Sequence, residues 1–68
     1  MKIIIRRLSM RVKALREERG LTQGKLAKQA GVSLGYLARL EIGMHDPSLS
    51  TLAKLAKALK VTVGELVE

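Results

Sequence analysis

Residues 23–42, QGKLAKQAGVSLGYLARLEI, constrain the chain more than any other stretch, because two short apolar-periodic segments meet there across a single glycine. Leu26, Ala27 and Ala30 share one helical face, and Leu37 and Leu40 share another. Gly31 can take the left-handed conformation that ends the first helix, and Thr22 and Ser33 are suited to cap the starts of the two. Two helices crossing steeply over so short a turn need a small residue where they approach, a glycine where the chain reverses, and apolar side chains to hold the angle. Ala27 and Gly31 meet the first two needs, and Leu26, Ala30, Val32, Leu37 and Leu40 meet the third. The pattern predicts one helix over about Gln23–Ala30 and a second running from the Ser33 cap to Leu40 or Glu41.

The flanking segments also read as helices. Leu8, Val12 and Leu15 fall at i, i+4 and i+7, and Gly20 supplies the stop, so the first helix is expected from about Leu8 to Arg19. Gly43 and Pro47 mark a loop, after which Ser48 can open a helix with Leu49, Leu52, Ala53, Leu55, Ala56 and Leu59 inward and Lys54 and Lys57 outward. Thr62 with Glu65 has the form of a capping box for a short last helix carrying Leu66 and Val67. The fold class is therefore all-α, in one bundle over residues 8–68. Residues 1–7 stand apart as an arm, because the β-branched run in MKIII suits extended chain better than helix. A free tail, an apolar cover on the core, or a strand paired with its copy in a dimer all fit that arm, with Arg6 and Arg7 at its base.

A domain of 68 residues buries only about 60% of the surface its unfolded chain exposes, and without cysteine it has no disulfide to help. Lack of cysteine fits a reducing compartment, and the opening apolar run is too short for an export signal or a membrane span, so a cytoplasmic location is expected. The formal charge of +7 favours a polyanionic partner. With one Tyr and neither Phe nor Trp, the chain is poorly supplied for stacking unpaired bases, which points to double-stranded DNA. His45 is the only histidine, and no glycine-rich phosphate loop is present, so neither an enzyme nor a cofactor or metal site is expected.

From about Leu8 to Val67 the chain resembles the Cro/C1-type, or XRE, helix-turn-helix family of phage repressors and bacterial regulators. LREERGLTQGKLAKQAGVS and LEIGMHDPSLSTLAKLAKALKVTVGEL carry the likeness. It implies a compact five-helix bundle of the lambda-repressor-like type whose second and third helices form the DNA-binding unit. By helical geometry Leu34, Gly35, Ala38, Arg39 and Ile42 face away from Leu37 and Leu40. The resemblance assigns the outward positions, together with Ser33, to DNA contact in the major groove. Among them Arg39 is suited to read guanine through its forked donors. Leu34 and Ala38 depart from the polar side chains frequent in the family; they suit thymine methyls, and Gly35 would let the backbone approach the duplex.

Gln23 resembles the family's phosphate-binding glutamine, at a helix start that Thr22 shares and whose free amides favour an anion. Lys25, Lys28, Arg11, His45 and the hydroxyl of Tyr36 are further phosphate candidates, while Met44 and His45 replace the basic residues many relatives carry in the loop. Arg16 and Glu41 resemble a structural pair linking the first helix to the end of the third. Useful affinity calls for a homodimer on a near-palindrome. Val61, Val63, Leu66 and Val67 at the C-terminal end, or Ile3 and Ile5 in the arm, are its candidate contacts. A rival reading makes the line Leu34, Ala38, Ile42 with Met44 a docking stripe for a protein partner, such as the toxin of a toxin–antitoxin pair.

Overall fold

The computed structural model describes residues 2–68, apart from the side chain of Lys2. The helices are α1 Lys2–Glu18, α2 Gln23–Ala30, α3 Leu34–Glu41, α4 Leu49–Leu59 and α5 Val63–Val67, with no strand among the described residues. Their limits follow from local chemistry. Thr22, Ser33, Ser48 and Thr62 each sit in extended backbone just before a helix, and each side-chain oxygen accepts the amide three residues on, over 3.0–3.2 Å. At the other ends Gly20, Gly31, Gly43 and Lys60 take positive φ. The following amides then turn back, Leu21 to the Arg16 carbonyl, Val32 to Ala27, Met44 to Arg39 and Val61 to Ala56, so the last carbonyls are satisfied.

The expected extended arm is not there. Residues 2–7 continue α1 without a break, crossing the boundary expected between residues 7 and 8. Placing Ile in a helix costs only a few tenths of a kcal/mol, and extending a helix already nucleated over Leu8–Glu18 is far cheaper than starting one. Ile3 and Ile4 remain 75% and 57% exposed, while Ile5 is half-buried and Ser9 turns inward to donate to the Arg6 carbonyl at 2.8 Å. Nor is the expected stripe of α4 buried throughout: Leu52 is half-buried and Leu55, Ala56 and Leu59 are inside, but Leu49 and Ala53 lie on the surface.

The core joins Leu8, Val12 and Leu15 of α1 to Leu26, Ala27 and Ala30 of α2, Leu37 and Leu40 of α3, and the buried residues of α4. Leu66 of α5 closes it at 1% exposure and is thereby removed from the candidate dimer contacts, since a side chain used inside its own bundle has no surface for a second copy. Val61 and Val63 pack partly against the same core, which leaves Val67 as the exposed apolar residue at that end. No helix among the described residues is long and apolar enough to cross a membrane.

Candidate nucleic-acid interface

The site is built outward from the joint at Gly31, whose φ of 70° and ψ of 31° end α2, so that the Val32 amide closes on the Ala27 carbonyl at 3.0 Å. Two residues later Ser33 starts α3. Behind α3, Leu37 and Leu40 are 0% and 1% exposed, which fixes the helix to the bundle. In front, Leu34, Gly35, Arg39 and Ile42 are open to solvent and Ala38 is half-buried, so none of the other described residues covers this surface. The face is apolar apart from Arg39 and the hydroxyl of Ser33, and that hydroxyl accepts the Tyr36 amide at 3.0 Å.

A second fastening holds the far end of α3. Arg16 of α1 meets Glu41 with two parallel bonds, Nε to Oε2 at 2.7 Å and Nη2 to Oε1 at 3.1 Å, and its Nη1 donates to the Leu21 carbonyl at 2.8 Å. Glu41 Oε1 also accepts from Gln23 Nε2 at 2.9 Å, so the carboxylate ties α1, α2 and α3 at one point. The hydrogen bond to Glu41 raises the Arg16 pKa, opposed by desolvation and helped by the charges of Glu41 and Glu17. Arg16 and Glu41 thus form the expected pair, and one N–H of Gln23, expected to face phosphate, is committed to the same knot.

Thr22, Lys25 and Lys28 are exposed on or beside α2, with Thr22 and Lys25 at its start next to Gln23. Arg11 does not join them. Its Nε donates to the Glu65 carbonyl at 2.9 Å, which directs it to the α5 side of α1. His45 likewise has close partners on α3. Its ring stacks on Tyr36, with centroids 4.3 Å apart and planes at 17°, and its Nε2 accepts from Arg39 Nε at 3.3 Å. Arg39 itself lies back along its helix: a methyl group placed on Gly35 would sit 3.3 Å from Arg39 Nη1 and 3.7 Å from Nη2. Gly35 therefore makes room for the guanidinium, one turn toward the start of α3. The Tyr36–His45–Arg39 cluster is not readable from spacing, because the loop that returns His45 to α3 follows its tertiary course after Gly43.

Comparison with known proteins supplies the family. A helix-turn-helix family model matches residues 12–66, and the chain belongs to that family. The immunity repressor protein of Bacillus phage phi105 is 47% identical over 60 residues, a stretch covering 88% of this chain and 42% of the repressor. The chain thus spans less than half the length of that relative. Among solved structures, the restriction-modification controller protein C.AhdI from Aeromonas hydrophila superposes with a TM-score of 0.88 at 34% identity, covering 91% of this chain and 94% of that one. The biofilm regulator SinR of Bacillus subtilis, solved in complex with DNA, superposes with a TM-score of 0.86 at 34% identity, covering 90% of this chain and 98% of that one.

Proposed function

We propose that the chain is a sequence-specific reader of double-stranded DNA acting in transcriptional regulation, most simply as a repressor, and that α3 enters the major groove. The observation carrying this reading is the front of α3: exposed, free of carboxylates, bearing one arginine, and held from behind by Leu37, Leu40 and the Arg16–Glu41 pair. Such a helix keeps its angle while its first turns meet base edges. Arg39 is assigned to a guanine through its Nη donors, Leu34 and Ala38 to thymine methyls, and Ser33 and Gly35 to close approach at the helix start. At the rim, Thr22, Lys25, Tyr36 and the second amide N–H of Gln23 are assigned to phosphate. The +7 charge supports the same partner, and a cytoplasmic location follows from it in a bacterial or phage setting.

The unit of binding is assigned as a homodimer on a near-palindrome. With Leu66 buried and Ile3, Ile4 and Met10 exposed at 75%, 57% and 64%, the apolar surface left for a second copy lies on the first turns of α1 more than at the C-terminal end. A second reading, a docking surface for another protein, is favoured by the exposed Leu34, Ile42 and Met44, at 54%, 71% and 64%. Selection of bound duplexes from a random pool tests the choice. Enrichment of one motif, with half-sites about one helical turn apart, is the expected result. A pool that stays random after repeated rounds contradicts DNA reading and leaves protein docking.

A further inference from the structure

The geometry points to His45 as a specificity-positioning residue that aims Arg39 without itself touching the duplex, an inference that rests on α3 being the reading helix. An exposed arginine holds many rotamers, and ordering one on binding costs affinity and blurs which base it selects. Here the side chain is held at its middle. His45 Nε2 accepts from Arg39 Nε at 3.3 Å, and the imidazole cannot swing away freely because it lies flat against Tyr36 at 4.3 Å. Tyr36 is in turn fixed to α3, on the same helix as Arg39 and three residues before it. The bond spends Nε and leaves the two Nη groups as a free fork lying over Gly35, one turn toward the start of α3. That fork matches the O6 and N7 acceptors of guanine, and its direction is set before DNA arrives. An imidazole accepting at Nε2 carries its proton on Nδ1, so the arrangement requires neutral His45 in that tautomer. A positively charged His45 would donate from both ring nitrogens and could not accept from Arg39.

The test separates stacking from hydrogen-bond acceptance. His45→Phe keeps a flat ring for Tyr36 but has no acceptor, and His45→Gln keeps an acceptor oxygen without the ring. Affinity is measured for the selected operator, for the same operator altered at the base pair whose discrimination Arg39→Ala abolishes, and for random duplex. His45→Phe should lower discrimination at that base pair roughly three- to tenfold, the scale of losing one pre-ordered long side chain, with random-duplex affinity unchanged. His45→Gln should restore most of it, and His45→Phe should add nothing once Arg39 is alanine. In the free protein, the imidazole nitrogen chemical shifts should report the Nδ1–H tautomer. Equal losses on operator and random duplex would make His45 a phosphate contact and overturn the inference, as would unchanged discrimination or the Nε2–H tautomer. Absence of any complex with wild-type protein would overturn the reading of α3 itself, and this result is distinct from a complex whose discrimination ignores His45.

Discussion

Glu41 shows how a single residue sets the pose of the reading helix. Its side chain is 2% exposed and accepts from both Arg16 and Gln23, so removing it strands a largely buried guanidinium and a carboxamide together. Breaking one side of a buried pair costs about 3–5 kcal/mol. Because the Arg16 side chain keeps 11% exposure and its bond to Leu21, Glu41→Ala is expected near the lower end, about 3 kcal/mol by urea unfolding. A loss under about 1 kcal/mol would show that the knot does not hold α3. Lys60 offers the opposite case. It takes φ 59° where the other helix ends with this turn use glycine, so Lys60→Gly should stabilise the bundle by about 1 kcal/mol, and unchanged or lower stability in the same unfolding experiment would argue against strain there. Residue roles were unevenly legible in the sequence. The outward set on α3 follows from helical angle alone. The Arg16–Glu41 pair came only from family resemblance, since nothing in a separation of 25 residues marks two side chains as partners. The neighbours of Arg11 and His45 were not legible, because a charge at the surface says nothing about which carbonyl or ring lies beside it.

The elements with a local start and a local stop were legible to within a residue or so. Those limits are α2 between Thr22 and Gly31, α3 from Ser33, α4 from Ser48, and α5 from Thr62. The start of α1 has no such marker, and there β-branched propensity gave the wrong answer because a neighbouring helix propagates through it. The extent of burial in α4 was overread for a related reason: periodicity names a face but not how wide an arc the bundle covers, so Leu49 and Ala53 stay outside. The short α5 depends most on its cap. Glu65 accepts the Thr62 amide at 3.0 Å, and this bond first, then the Thr62 hydroxyl, holds the Glu65 carboxyl below its ordinary pKa. A carboxylate whose folded pKa is depressed adds stability that is present above the unfolded value and lost as pH falls through the folded one. Acidification through and below the ordinary glutamate range should therefore weaken α5, read as falling protection of the Glu65 and Leu66 amides ahead of α2. Glu65→Gln, whose carboxamide oxygen still accepts the Thr62 amide but does not titrate, should remove that acid dependence. Equal acid loss in the two proteins would place its origin elsewhere.

At the scale of the whole molecule, the bundle is a stand that presents one helix, and its charge determines how strongly that helix is drawn to a polyanion. Thirteen Lys and Arg oppose six Asp and Glu, and one of each, Arg16 and Glu41, cancel in the knot behind α3, which leaves the excess at +7. Phosphate neutralisation releases condensed counterions, so affinity for duplex DNA must fall as a power of salt concentration, whereas apolar docking has no such slope. The most direct measurement is a salt titration of binding to the selected operator and to random duplex. Each phosphate neutralised by Lys or Arg adds about −0.9 to the log–log slope, so a clearly negative slope is predicted for both duplexes, with the operator held more tightly throughout. A flat salt dependence, or equal affinity for the two duplexes at every salt concentration, would contradict the assignment of α3 as a reader of DNA sequence.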